Sequence, residues 1–121
     1  MTTDKSVLRE ITPRELAVML SNNEVVLVDV REPDEFASAR IHGALLAPLS
    51  SFDPAFLPRN PGQPIVLQCG SGKRSAIAAA KCMKAGVPIA GHLSGGIVAW
   101  RQAAFPTITL DPSSGKIVER R

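Results

Sequence analysis

Short apolar runs alternate with polar, glycine- or proline-rich breaks along the whole chain, and the period of each run predicts an element. Val25-Val26-Leu27-Val28 and Ile65-Val66-Leu67 are continuous and rich in β-branched residues, as expected of strands buried on both faces of a parallel sheet. Residues 44–47 and 89–93 are further strand candidates, and Val7-Leu8 reads as the start of another. Helical segments lie between them. Thr12-Pro13-Arg14-Glu15 combines a capping box with proline at the first helical position and opens a helix over residues 13–20. Pro33-Asp34-Glu35-Phe36 predicts a short helix with acids in its first turn. The alanine-rich stretch 76–85 predicts a longer one, stopped by Gly86 with Pro88 two residues beyond. A last helix is predicted over 97–103, after the Gly95-Gly96 turn. Pro54, Pro58, Pro61 and Pro64 mark an irregular stretch with one short helix over 53–57.

Strands alternating with helices predict an α/β fold of three layers, a mainly parallel central sheet with helices on both faces. Ligands in such sheets sit beyond the carboxyl ends of the strands, where Asp29 and Cys69 both fall. One domain is expected over residues 1–108. The composition turns polar after Pro106, and 109–121 reads as a loose C-terminal tail.

Composition narrows the picture. With 121 residues, 45% of them hydrophobic and 21% charged, the chain fits one ordinary soluble domain. No apolar run approaches the roughly 20 residues needed to cross a bilayer. Met1-Thr2-Thr3-Asp4-Lys5 lacks the layout of a secretion signal, so a cytoplasmic protein without a membrane partner is expected. The net charge of +3 hides an asymmetry: residues 1–55 carry a net −4 and residues 56–121 a net +7. A basic half suits an anionic substrate. It does not suit nucleic acid, because there is no tyrosine, a single tryptophan and no interleaving of aromatics with arginine.

The candidate chemistry lies in that basic half, at Gln68-Cys69-Gly70-Ser71-Gly72-Lys73-Arg74-Ser75. Strand, tight loop and helix follow one another there, which sets Cys69 against a helix amino terminus. The N–H groups of a first turn lack intrahelical partners and favour an anion. A thiol in that place ionises more readily and becomes a nucleophile. Gly70 and Gly72 let the backbone fold closely around the sulfur. Lys73 and Arg74 bring positive charge to a position where the helix dipole opposes it by roughly 0.3–1 kcal/mol each, which points to contacts with an anionic substrate. Arg74 turning inward to Asp29 or Glu32 is the alternative. Ser71 and Ser75 either donate to an anion in the loop or cap the helix. Asp29 and Arg31 read as a pair that orders neighbouring loops, with a substrate contact by Arg31 as the weaker reading. Trp100 reads as core.

The second cysteine, Cys82, falls too far along the helix for a disulfide, about 15 Å at 1.5 Å per residue against the 7 Å that a bridge tolerates. It reads as a buried thiol in the helix packing. His42 and His92 have no ligand partners at metal spacing, so no metal and no cofactor is expected, and neither histidine is required as a base.

Four motifs in order carry a family likeness: Val28-Asp29-Val30-Arg31-Glu32-Pro33-Asp34-Glu35-Phe36, Ile41-His42-Gly43-Ala44, Cys69-Gly70-Ser71-Gly72-Lys73-Arg74-Ser75 and Leu93-Ser94-Gly95-Gly96-Ile97-Val98-Ala99-Trp100. Over about residues 5–105 the chain resembles the single-domain rhodaneses of the sulfurtransferase family. The resemblance implies a rhodanese-like fold and a six-residue loop, 69–74, that cradles the cysteine sulfur. It implies that Cys69 takes sulfane sulfur from thiosulfate, releases sulfite and holds a persulfide for a thiol or cyanide acceptor. The second motif departs from the family pattern: Arg40 stands where histidine is usual and His42 where proline is usual, so altered local packing is expected there. Three rival functions are weighed beside this one. A cysteine phosphatase or arsenate reductase would need Cys-x5-Arg, whereas Arg74 follows Cys69 by five positions. A regulatory module would not need the cysteine. A persulfide relay would pass sulfur to an acidic protein acceptor, for which the basic half and the tail 116–121 are suited.

Overall fold

The computed structural model describes residues 7–120; Met1-Thr2-Thr3-Asp4-Lys5 and Arg121 lie outside them. Five parallel strands form the central sheet: β1 (Glu10–Ile11), β2 (Val26–Asp29), β4 (Leu45–Leu46), β5 (Ile65–Gln68) and β6 (Ile89–Leu93), in the spatial order β1-β6-β5-β2-β4. A helix follows each of β1, β2, β5 and β6: α1 (Pro13–Ser21), α2 (Pro33–Ser38), α3 (Lys73–Lys84) and α4 (Gly96–Gln102). The sheet is buried on both faces because its side chains alternate. Val28, Ile65 and Leu67 pack toward Ala78, Ala79 and Cys82 of α3. Leu27, Val66 and Leu93 pack toward Leu16 of α1 and Ile97 and Trp100 of α4. The fold is the α/β arrangement with a mainly parallel sheet that the strand–helix rhythm implies.

The helix starts follow from local chemistry. Thr12 caps α1 and closes the capping box with Glu15. At α2, Glu32 and Glu35 form the same reciprocal pair around Pro33. Trp100 is buried, donates from its indole to the Pro106 carbonyl at 2.8 Å and packs on Phe105.

Two expectations need correction, at the edge strand and at the tail. The edge strand is Glu10–Ile11 and not Val7-Leu8, because pairing with His92 and Leu93 of β6 selects the residues that can reach that edge. The proline-rich stretch holds the one short helix expected over 53–57, a 3-10 turn at Pro54–Phe56 capped by Asp53, and another 3-10 turn, Leu49–Ser51, precedes it. The segment read as a loose tail is a hairpin: β7 (Thr107–Leu110) and β8 (Ile117–Arg120) pair antiparallel, and β7 pairs with β3 (Ala39–Arg40) in a second, three-stranded sheet. Its polar composition belongs to a hairpin that lies mostly in solvent: Leu110 and Ile117 are exposed, and of the residues in β7 and β8 only Thr107 is buried. Arg40 pairs in β3 and stacks its guanidinium over the Phe36 ring, 5.1 Å from the centroid. His42 is exposed.

Candidate active site

β5 ends at Gln68, and the next residue, Cys69, drops into the mouth of α3. The chain turns at Gly72, whose φ of +106° is open to glycine and strained for other residues. The N-cap residue, Gly72, has no side chain to cap α3; the Cys69 sulfur faces the free N–H groups there. Its Sγ accepts from the Gly72 N–H at 3.0 Å, and the N–H groups of Ser75 and Ser71 also act on it. Ser75 Oγ lies 3.5 Å from the sulfur. Burial pushes the thiol up, but the Ser75 hydroxyl and the three main-chain donors outweigh it, so the Cys69 pKa falls below the ordinary value.

The loop amides face inward because their carbonyls are engaged elsewhere. Cys69 O accepts from the Ile97 N–H at 2.9 Å and Gly70 O from the Val98 N–H at 3.2 Å. Both donors belong to the free first turn of α4, so two helix starts meet across the loop. The approach requires glycine at 96: a Cβ there would lie 2.4 Å from the carbonyl oxygens of both Cys69 and Gly70. Gln68, wholly buried, adds an amide donor to Cys69 O at 2.8 Å. The motif around Gly95-Gly96 thus acts on the cysteine loop through the backbone.

Gly70, Ser71, Gly72 and Ser75 are gathered around the sulfur, as the sequence suggests. Neither serine caps α3; Ser75 instead bonds Gly72 O at 3.2 Å and reaches the sulfur. The two cations part company. Lys73 is exposed and forms no ion pair among the described residues. Arg74 turns to neither Asp29 nor Glu32 but to Glu35, with both carboxylate oxygens accepting at 2.6 and 3.0 Å. The Arg74 hydrogen bonds hold Glu35 down to about 2 and raise Arg74 in turn. Asp29 is buried and accepts from the Arg31 backbone and guanidinium, while Arg31 also donates to Ala39 O at 2.6 Å. With Arg31 only 5% exposed, the pair orders the β2–α2 junction, as its sequence reading favours. No three His, Cys, Asp or Glu side chains among the described residues come together to hold a metal ion.

Three residues around the site escaped the sequence reading. Glu35 was legible as a helix acid only, since its partner stands 39 positions away. His92 and Glu10 meet Ser75 behind the loop: Ser75 Oγ to His92 Nδ1 is 2.7 Å, and His92 Nε2 to Glu10 Oε2 is 2.6 Å. The signal for His92 was a lone polar residue inside a buried strand. That for Glu10 was hidden by the misplaced edge strand.

Comparison with known proteins finds a rhodanese-like domain over residues 12–103. The probable adenylyltransferase/sulfurtransferase MoeZ of Mycobacterium tuberculosis is 43% identical over 105 residues, covering 83% of this chain and 26% of that protein. The thiosulfate sulfurtransferase GlpE of Ectopseudomonas mendocina is 32% identical over 108 residues, covering 89% of this chain and 97% of that protein. Of the relatives matched at 43% identity, the chain spans about half of one and about a quarter of another. Among solved structures, a rhodanese-related protein from Thermoplasma volcanium superposes with a TM-score of 0.73 at 27% identity, over 82% of this chain and 96% of that one. With the parallel sheet, the cysteine loop at the start of α3 and the glycine-mediated contact from α4, these matches establish that the chain belongs to the rhodanese-like family.

Proposed function

We propose that the protein is a sulfurtransferase whose Cys69 thiolate accepts sulfane sulfur from thiosulfate or a similar anionic donor. The thiolate attacks the outer sulfur, a new S–S bond forms at Cys69, and the donor's S–S bond breaks with its electron pair leaving on sulfite. The resulting persulfide is discharged when a thiol or cyanide attacks the outer sulfur and Cys69 departs as an anion. One observation carries this reading: a nearly buried sulfur whose ionised form is favoured by the N–H groups of Ser71, Gly72 and Ser75. The same ring of donors suits the terminal anion of a persulfide, as preorganised donors stabilise charge without reorganising. Gly70, Ser71, Gly72, Lys73, Arg74 and Ser75 are the proposed substrate-binding residues. Among them Lys73 supplies the free positive charge, while Arg74 is neutralised by Glu35. Asp29 and Arg31 support the site from behind.

The net +7 of residues 56–121 favours a second reading, in which the persulfide goes to a protein acceptor of acidic character. Intact-mass measurement after thiosulfate treatment tests the shared step. Gain of one sulfur atom in the wild type, absent in Cys69→Ser and reversed by cyanide, is the expected result. Turnover of a phosphate ester without sulfur uptake would sink the proposal in favour of a phosphatase. Lys73→Ala should weaken thiosulfate use several-fold without loss of folding, and an unchanged kcat/KM would remove Lys73 from the site.

A further inference from the structure

Behind the loop, four side chains from four segments touch in single file. Glu10 of β1 meets His92 of β6 at 2.6 Å, His92 meets Ser75 of α3 at 2.7 Å, and Ser75 Oγ stands 3.5 Å from Cys69 Sγ. The parallel register of β1 and β6 places Glu10 and His92 side by side. Ser75 is wholly buried and His92 is 3% exposed, whereas the Glu10 side chain is 59% exposed. A buried polar side chain commonly ends its bonds on structural partners. This row instead runs from the nucleophile to a carboxylate in contact with water.

The Ser75 hydroxyl carries one proton and has three neighbours: Cys69 Sγ, Gly72 O at 3.2 Å and His92 Nδ1. With the Nε2 proton held by the Glu10 carboxylate, a neutral ring presents Nδ1 as an acceptor. Ser75 then donates to Nδ1 and its oxygen accepts from the Cys69 S–H. We propose that Glu10, His92 and Ser75 form a proton relay that draws the proton from Cys69 and stores it on His92. In the step, the S–H bond breaks as that proton moves to Ser75 Oγ. The original hydroxyl proton leaves Oγ and forms the Nδ1–H bond. A neutral thiol and a neutral imidazole become a thiolate and an imidazolium, with no change of total charge or oxidation state. The imidazolium donates to Ser75, which frees the Ser75 hydroxyl to donate to the thiolate, and Glu10 neutralises the new cation.

The polar groups that face the ring are Glu10 from β1, Ser75 from α3 and, through Ser75, Cys69. Main chain at Gly72 covers Cε1, where a Cβ would stand 3.8 Å away, and β5 sets Leu67 beside it. Arg9 is drawn instead to Glu15, at 3.8 Å. His92 and Glu10 act through Ser75 and are positioning residues. The relay gives His92 the part of a base, which the sequence does not require of it.

The relay rests on Cys69 being the nucleophile but not on any sulfur donor, so its test reads the thiolate directly. Iodoacetamide alkylation of Cys69 would be followed against pH in the wild type and in Glu10→Gln, His92→Asn and Ser75→Ala, each checked for folding by circular dichroism. At pH 7 the rate should fall about threefold in Glu10→Gln, the scale of a partly exposed charge, and about tenfold in His92→Asn and Ser75→Ala, one unit in the midpoint. All curves should converge at alkaline pH, where the thiol ionises unaided. His92→Asn keeps a hydrogen bond toward Ser75 but cannot titrate. If its profile superimposes on the wild type, His92 only orients Ser75 and the relay is wrong. Should His92→Asn fail to fold, an unshifted Glu10→Gln profile overturns the relay by itself, since that carboxylate faces water. A wild type that alkylates with the expected profile yet takes up no sulfur would sink the sulfurtransferase proposal and leave the relay standing.

Discussion

Cys69 and Cys82 are both almost completely buried, at 1% and 0% exposure, yet their thiols move in opposite directions. Burial alone pushes Cys82 from 9.0 up to about 11, opposed only weakly by Arg59. The same penalty acts on Cys69, where the Ser75 hydroxyl and three backbone donors overcome it. Cys82 lies two turns into α3, where every N–H is already committed to the helix. Cys69 faces the first turn, where they are free. Burial therefore does not make a cysteine inert; the supply of unpaired donors decides.

The largest expected effect follows directly. Iodoacetamide at neutral pH should modify Cys69 at least about 100-fold faster than Cys82, since each pKa unit is tenfold in thiolate. Peptide mapping checks this, and equal labelling would erase the distinction. Gly96→Ala should do nearly as much harm as removing donors from the loop, because its Cβ would displace the Cys69 and Gly70 carbonyls. A loss of about 100-fold in kcat/KM for sulfur transfer is expected from such a displacement, with unfolding destabilised by roughly 1–3 kcal/mol for the strained φ. Full activity in that variant would mean that α4 does not set the loop.

The two thiols should also part in their effect on stability. Cys82 has a raised pKa when folded, so the unfolded chain loses its proton first. Stability then falls as pH rises above about 9, by up to ~1.4 kcal/mol per pH unit, and levels off near 11. Cys69 has the opposite sign: its contribution is present above the unfolded pKa and is lost as pH falls through the lowered folded value. Urea denaturation across pH 8–11 should therefore show a flatter alkaline decline in Cys82→Ala and a steeper one in Cys69→Ala. The smallest effect belongs to Glu35. Its carboxyl is lowered to about 2 by the Arg74 hydrogen bonds, so the pair contributes above about pH 4.5 and is lost toward pH 2. The pair is about one-third exposed, so Glu35→Gln should cost less than ~1 kcal/mol at pH 7, measurable as a small drop in Tm that vanishes in acid.

Much of this site was legible because its determinants are local. The run Ile65-Val66-Leu67 followed by Cys69-Gly70-Ser71-Gly72 specifies strand, loop and helix within a dozen residues, and the thiol's position follows from that order. The pairing of Asp29 with Arg31 was also readable, being two residues apart. Arg74 was not, because its choice of Glu35 over Asp29 or Glu32 depends on where α2 packs. The hairpin of β7 and β8 is not legible, because its polar composition reads as a loose segment and pairing with β3 supplies the ladder only in the fold.

By itself the sequence determined the alternation of strands and helices, the family likeness and the place of the Cys69 thiol at a helix start, since these depend on periodicity and on contacts within one βα unit. Tertiary structure alone decided which groups lean on that thiol. Gly96 reaches the loop from α4, and Glu10 and His92 reach Ser75 only because β1 adds beside β6. Hydrogen bonds between residues up to 82 positions apart depend on strand order, and no local pattern of side chains encodes that order.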